Sequence, residues 1–382
     1  MDVVEVLEEL VSIPSVNPAM GGEGEGNIAA SLARLLGDLG LAVAVNEVEP
    51  GRPNILATLP GRADVAVLLQ AHLDTVAPFL RVRRDRDRLV GRGACDTKGS
   101  AAAMVGALHE LSKDGPERPT VIFAGTIDEE VGMVGSRALL QQLPPVQGAV
   151  VGEPTSLSPV RVHNGLARFR VIANGRAAHS SRADLGINAI SAAARAVVAL
   201  EGLIPRLRLR AHPLAGPALL TVGVIRGGSA PNVVPDRCEV LFDRRLAPGE
   251  RPEDAMAEID EILSHVQERG DLVHREAPYI LLPAVETPAD HPLVEAAEGA
   301  VRDVLGRTEI AGGAPYGTDA SNLAGLGGIP CVVLGPGSID VAHSSDEWVR
   351  IHEVQQAVTL YAEVVRRFAR AAAAPVPTEE RR

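Results

Sequence analysis

Val65-Ala66-Val67-Leu68-Leu69-Gln70-Ala71-His72-Leu73-Asp74-Thr75-Val76 is the stretch that decides the fold. From Val65 to Ala71 the residues are almost continuously apolar, without the alternation of a half-solvated strand. That pattern predicts a strand covered on both faces, as in a parallel sheet. The run then ends on a histidine and a carboxylate. Two further short apolar runs repeat the arrangement. Thr120 to Gly125 leads into Asp128-Glu129-Glu130-Val131-Gly132, and Ala149 to Val151 into Gly152-Glu153-Pro154-Thr155. Cys331 to Leu334 and the turn Gly335-Pro336-Gly337 precede Ala342-His343-Ser344-Ser345-Asp346-Glu347. A fifth motif, Gly91-Arg92-Gly93-Ala94-Cys95-Asp96-Thr97-Lys98-Gly99, opens a small-residue helix, Gly99 to Leu111. In an open α/β sheet, side chains just beyond the carboxyl ends of the strands converge on one crevice. Singly, each motif has a plainer explanation: Asp96 before a helix could be an N-cap, and Glu129-Glu130 a solvated loop. Recurrence at equivalent topological positions points to a site.

Elsewhere in the chain, Asp2 to Leu10 and Asn27 to Leu39 space their apolar residues as amphipathic helices, and Asn54 to Leu59 reads as another strand. This predicts an α/β domain with a mixed, mainly parallel sheet. Near Arg161 the pattern changes: Leu166 to Ala173 alternates apolar residues with Arg168 and Arg170. A helix over Gly186 to Leu203, strands at Leu219 to Ile225 and Cys238 to Phe242, and a helix over Pro252 to Glu268 complete a smaller α+β, ferredoxin-like unit. After Pro283 the first style returns, with helices at Leu293 to Leu305 and His352 to Arg370. The predicted organisation is a catalytic domain in two parts, 1–163 and 279–372, interrupted by an inserted domain, 164–278, and followed by a flexible tail, 373–382. A chain of 382 residues suits two to three domains at about 150 residues each.

Composition narrows the function. A formal charge of −12 argues against a nucleic-acid surface, and only 2% aromatic residues against a base-stacking platform. Of the 37 basic residues all but Lys98 and Lys113 are arginine, which reflects genome composition. Cys95, Cys238 and Cys331 are far apart and lack C-x-x-C spacing, so neither a disulfide framework nor a cysteine zinc site fits. Met1-Asp2-Val3-Val4-Glu5 lacks the basic-then-apolar pattern of a leader, and no apolar run reaches bilayer length, so a cytoplasmic protein is expected. Gly21-Gly22-Glu23-Gly24-Glu25-Gly26 is acidic, has no P-loop lysine, and reads as a flexible loop.

Two histidines and three carboxylates form a mixed N/O set suited to two divalent cations, one carboxylate bridging, with zinc as the ion such ligands favour. One of Glu129 and Glu130 ligates while the other stays free as a base. The short His72-x-Asp74 spacing lets the carboxylate orient the imidazole.

The five motifs, in their order along the chain, resemble the family of co-catalytic zinc amidohydrolases and exopeptidases that contains acetylornithine deacetylase, succinyl-diaminopimelate desuccinylase, aminoacylase and carboxypeptidase G. The resemblance spans nearly the whole chain. It implies a zinc-binding catalytic domain interrupted by a lid domain that dimerises, so a homodimer is expected. It implies two Zn2+ per subunit, with Co2+ as a substitute: His72, Asp96 and Glu153 for one, and Asp96, Glu130 and His343 for the other. The resemblance also implies a cis peptide between Asp96 and Thr97. Glu129 matches the general base, which takes a proton from the attacking water and delivers it to the leaving amine. His179, in Gly175-Arg176-Ala177-Ala178-His179-Ser180-Ser181, would stabilise the oxyanion in the neighbouring subunit. Asn232 and Arg245 would grip a substrate carboxylate, and Gly317 and Thr318 would face the substrate.

Within the family, Leu334-Gly335-Pro336-Gly337-Ser338-Ile339-Asp340-Val341-Ala342-His343 is most similar to the acetylornithine deacetylases. That implies N2-acetyl-L-ornithine and water giving acetate and L-ornithine. Succinyl-diaminopimelate desuccinylase, a glutamate-releasing carboxypeptidase and a broad aminoacylase remain alternatives. A non-catalytic dimeric binding scaffold is the remote one, disfavoured by the intact ligand set.

Overall fold

The computed structural model describes residues 1–372. The flexible tail expected at 373–382 lies outside the described residues. The chain divides into two compact units. Met1–Arg161, Thr287–Gly312 and the chain from Thr318 form the first; Val162–Glu286 and Gly313–Gly317 form the second. The return crossing therefore falls at 286/287 instead of 278/279. The strand Ile280–Leu282 pairs with Gly165–Asn174, which keeps this stretch in the second unit.

The first unit is built on a sheet whose strands lie in the order β1 (Ala42–Glu49), β2 (Arg52–Leu59), β4 (Thr120–Thr126), β3 (Ala66–His72), β5 (Gly148–Val151) and β6 (Cys331–Val333). β3 runs parallel to β4 and β5, and β6 parallel to β5, while β1 and β2 are antiparallel additions. The register aligns His72 with Thr126, Gln70 with Val151, and Val151 with Val333. Four carboxyl ends therefore open on one edge, and every candidate motif except Asp96's follows from that edge. Nearly all of β3 and β4 is buried, as their continuous apolar runs require.

Helix α3 (Lys98–Leu111) is built largely of small and apolar residues and is buried almost throughout. It packs against β3, α1 (Val3–Ser12) and α5 (Ile351–Ala372), while α4 (Pro292–Leu305) packs on α5. Alanines and glycines on α3 permit this close stacking: a Cβ added at Gly106 would lie 2.8 Å from Val358 Cγ2. β1 escaped the sequence reading because it is an edge strand whose residues are mostly exposed or half-buried. Among the described residues no helix is long and apolar enough to cross a membrane. All three cysteines are buried free thiols.

The second unit is an antiparallel sheet ordered Leu219–Gly227, Arg237–Leu246, Gly165–Asn174 and Leu272–Arg275. Helices Ala189–Glu201 and Pro252–Gln267 contribute to its core with Ala192, Ala196, Ile259 and Leu263. The first helix starts at Ala189, not Gly186, because the Asn188 side chain accepts from Ser191 N at 3.0 Å and fixes the N-terminus. Phe169 and Phe242 are register partners whose rings stack 5.2 Å apart. Phe242→Ala is expected to cost about 3–5 kcal/mol through the cavity it opens. Denaturant unfolding checks this, read as a lower midpoint at unchanged slope.

Candidate metal centre

Asp96 lies at the centre of the candidate site. Its Oδ1 is 2.9 Å from His72 Nε2 and its Oδ2 is 3.3 Å from His343 Nε2. His343 Nε2 also lies 3.0 Å from Glu130 Oε1. Donor atoms of His72, Asp96 and Glu130 fall within 4.8 Å of one another. The Asp96 carboxylate is not used to cap α3, whose N-cap position is Thr97. The Asp96–Thr97 peptide is cis, as the resemblance implied.

Each side chain is delivered by local structure. His72 is the last residue of β3; its Nδ1 lies 3.0 Å from the Asp74 carbonyl oxygen and 3.5 Å from Asp74 Oδ1. Glu129 and Glu130 lie in the loop after β4, where Asp74 accepts from both backbone N–H groups, at 2.9 and 3.2 Å. Asp74 thus serves the histidine and the glutamate loop together. Glu153 follows β5 after Gly152, where a Cβ would meet Ser100 Cβ at 2.6 Å; only glycine lets this exit pass against α3.

The electrostatics show what the donor set lacks. Burial raises the Glu129 and Glu153 pKa values well above the usual carboxylate range, and each is pushed further up by neighbouring carboxylates. Glu130 is also raised, chiefly by burial. Burial alone would lower His72, but hydrogen bonds to Asp74 and Asp96 and the fields of Glu153 and Glu129 carry it well above its ordinary value. Hydrogen bonds to Asp96 and Glu130 push His343 up to about 10. Four carboxylates crowded around two imidazoles are an excess of buried negative charge, which bound cations would neutralise. The nitrogen and oxygen donors present fit divalent cations.

Behind the site lies a layer that the sequence reading missed. Asn17 Nδ2 donates to Asp74 Oδ2 at 2.8 Å and to Asp128 Oδ1 at 2.9 Å. Arg52 Nε and Nη2 each donate to Glu25 at 2.7 Å, and Nη2 also reaches Asp128 Oδ1 at 3.2 Å. These bonds hold Asp128 at a φ of 68°, unfavourable outside glycine, immediately before Glu129. The stretch Gly21 to Gly26 is therefore not simply a flexible loop: Glu25 is fully buried and α2 (Gly26–Asp38) begins at its end. Asp319 is likewise buried and accepts from Gln70, Thr126 and Ser136. Burial lifts its pKa to about 6.

The remaining predicted residues are placed as follows. Thr318 is buried, and its Oγ1 accepts from Ala320 N at 3.1 Å at the start of the short helix Ala320–Gly325. His179, Asn232, Arg245 and Gly317 belong to the second unit. There Ala178–His179 pairs with Val233–Val234, which brings His179 beside the Asn232 segment, and Ser180 N donates to the Asn232 carbonyl at 2.9 Å. His179 is exposed, with Nδ1 2.8 Å from Ser181 Oγ. Arg245 is partly buried and donates Nε to Asp243 Oδ1 at 2.8 Å.

Residues 68–367 match the model of Peptidase family M20/M25/M40. The chain belongs to that family. It is 34% identical to the acetylornithine deacetylase of Klebsiella pneumoniae (strain 342), covering 96% of this chain and 97% of that one. The aminopeptidase PepT of Bacillus cereus superposes with a TM-score of 0.79 at 25% identity, over 96% and 98% of the two chains. The Bacillus subtilis YXEP protein, described as a dinuclear metal binding peptidase of family M20, superposes with a TM-score of 0.71 at 19% identity, over 95% and 96%. The family resemblance and the fold class read from the sequence both hold. This M20-family chain is an enzyme that hydrolyses linear amides.

Proposed function

We propose that this M20-family enzyme deacetylates N2-acetyl-L-ornithine, with water, to acetate and L-ornithine, as a cytoplasmic homodimer using two zinc ions per subunit. The observation that carries the reading is the placement of Asp96, one carboxylate oxygen on each of two histidines, beside Glu129 and Glu130. Its nearly full-length likeness to acetylornithine deacetylase supports the substrate.

His72, Asp96 and Glu153 would hold one cation, and Asp96, Glu130 and His343 the other. When bound, the cations supply Lewis acidity toward water and the amide carbonyl. Glu129 is the proton carrier: its carboxylate accepts a proton from the attacking water, then gives it to the departing amine nitrogen as the C–N bond breaks. Burial of the Glu129 carboxyl disfavours its charged form, which is in keeping with a proton carrier. Asp74 orients the base and His72, since it binds both the Glu129 N–H and the His72 side. We assign Asn232, Arg245, Gly317 and Thr318 to substrate binding, and His179 to oxyanion stabilisation in a neighbouring copy. The guanidinium of Arg245 suits a carboxylate.

Turnover of the zinc-loaded protein on acetylornithine, succinyl-diaminopimelate, acetylmethionine and a folyl-glutamate analogue tests the proposal. Acetylornithine is expected to lead by about a hundredfold in kcat/KM, roughly 3 kcal/mol of transition-state discrimination. A comparable lead for another substrate would reassign the acyl group or amine. Absence of turnover on all four with metal bound would favour a binding scaffold.

A further inference from the structure

Glu347 closes the last candidate motif, yet the proposed chemistry leaves it unused. It is fully buried, and both carboxylate oxygens are committed. Oε1 accepts from Cys95 N at 3.0 Å and from Asp96 N at 3.1 Å, while Oε2 accepts from Arg92 Nη1 at 2.7 Å. Its own carbonyl accepts from Gly91 N at 3.0 Å. The strand that follows, Trp348–Arg350, pairs with Arg88–Val90, and the Arg88 guanidinium lies 3.8 Å from the centre of the Trp348 ring. Residues 88 to 96 are therefore laced to 347–350 by backbone, carboxylate and ring contacts. His343 lies just upstream, half-exposed and at a φ of 61°.

We propose that Glu347 is a positioning residue for the cation that Asp96, Glu130 and His343 would share: it fixes the segment presenting Asp96 against the segment presenting His343. The proposal rests on the two-metal reading. Glu347 is not among the clustered donor atoms; its oxygens face the Cys95 and Asp96 N–H groups and Arg92. It acts through the Asp96 backbone N–H, and through the covalent chain to His343. Arg92, also buried, requires a charged partner, so a neutral residue at 347 would leave an unpaired guanidinium. Two demands meet at one position: negative charge for Arg92, and the reach of a glutamate to two amide N–H groups.

Aspartate separates these demands, since it keeps the charge and withdraws the carboxylate by one methylene. Zinc would be titrated by calorimetry into chelator-stripped full-length wild type, E347D, E347Q and H343A, with circular dichroism and thermal melting of each metal-free form. Wild type is expected to bind two ions. E347D is expected to hold one within about threefold of wild type and to weaken the other by about 10–100-fold, the usual effect of losing a partner that orients a ligand. The weakened site should be the one H343A abolishes. Wild-type affinities for both ions in folded E347D and E347Q would overturn the inference. If E347D does not fold, E347Q decides by the same criterion, and failure of both to fold would assign Glu347 to the fold alone and overturn it. Fewer than two ions in wild type would instead sink the two-metal reading.

Discussion

Glu129→Gln is expected to keep the zinc content of wild type while kcat falls by about 10²–10⁴-fold, the range for losing a positioned acid–base group. At 1.36 kcal/mol per decade this is about 3–5 kcal/mol of barrier. The geometry isolates the effect. Asp74 holds Glu129 and Glu130 alike by their backbone N–H groups, and it is the Glu130 side chain that faces His343 at 3.0 Å, so the role of the Glu129 side chain is separate from the anchor. Glutamine preserves shape and the backbone bond to Asp74 but has no oxygen able to take a proton. KM should therefore move much less than kcat, because the lost interaction belongs to the transition state. Metal analysis by mass spectrometry on the assayed preparation separates this from a binding defect. Near-normal turnover in metal-replete Glu129→Gln would remove Glu129 from the base role.

The central sheet was legible because β3, β4, β5 and β6 are buried, and burial on both faces leaves a continuous apolar run that a single sequence displays. The candidates His72, Glu129, Glu130, Glu153 and His343 could be picked out because those residue types recur beyond the strand ends, where topology makes side chains converge, and Asp96 because its motif opens α3. β1 left a fainter trace, since an exposed edge strand is specified by backbone pairing with β2 more than by its side chains. The supporting layer was illegible for another reason. Glu25, Arg52, Asp128 and Asp319 look like surface residues in a sequence, and only long-range contacts reveal that they are buried. Glu25 meets Arg52 across α2 and β1, and Asp319 receives Gln70, Thr126 and Ser136 from distant parts of the chain. The Gly21 to Gly26 stretch shows the limit: its glycines pointed to mobility, while the pairing that makes Glu25 structural lies in β2.

Asp96→Asn carries the other large expected effect, and it separates a bridging carboxylate from a merely structural one. In the wild type each oxygen faces a different histidine, His72 at 2.9 Å and His343 at 3.3 Å. Asparagine is nearly isosteric, but it offers one oxygen and one NH2 group, and the NH2 cannot ligate. At least one cation must lose this ligand, and the negative charge that balances both is gone. The variant is therefore expected to fold, to bind fewer than two zinc ions where wild type binds two, and to lose turnover by at least about 10³-fold, or some 4 kcal/mol. His343→Asn provides the contrast, since it replaces an imidazole ligand of one cation only by a shorter, weaker amide oxygen and should leave the His72 site loaded. Calorimetric stoichiometry on the two variants makes the distinction. If Asp96→Asn retains both ions at wild-type affinity, the carboxylate does not bridge, and the two histidines would serve independent sites. If it loses both ions while His343→Asn loses one, the shared position of Asp96 is what couples the pair.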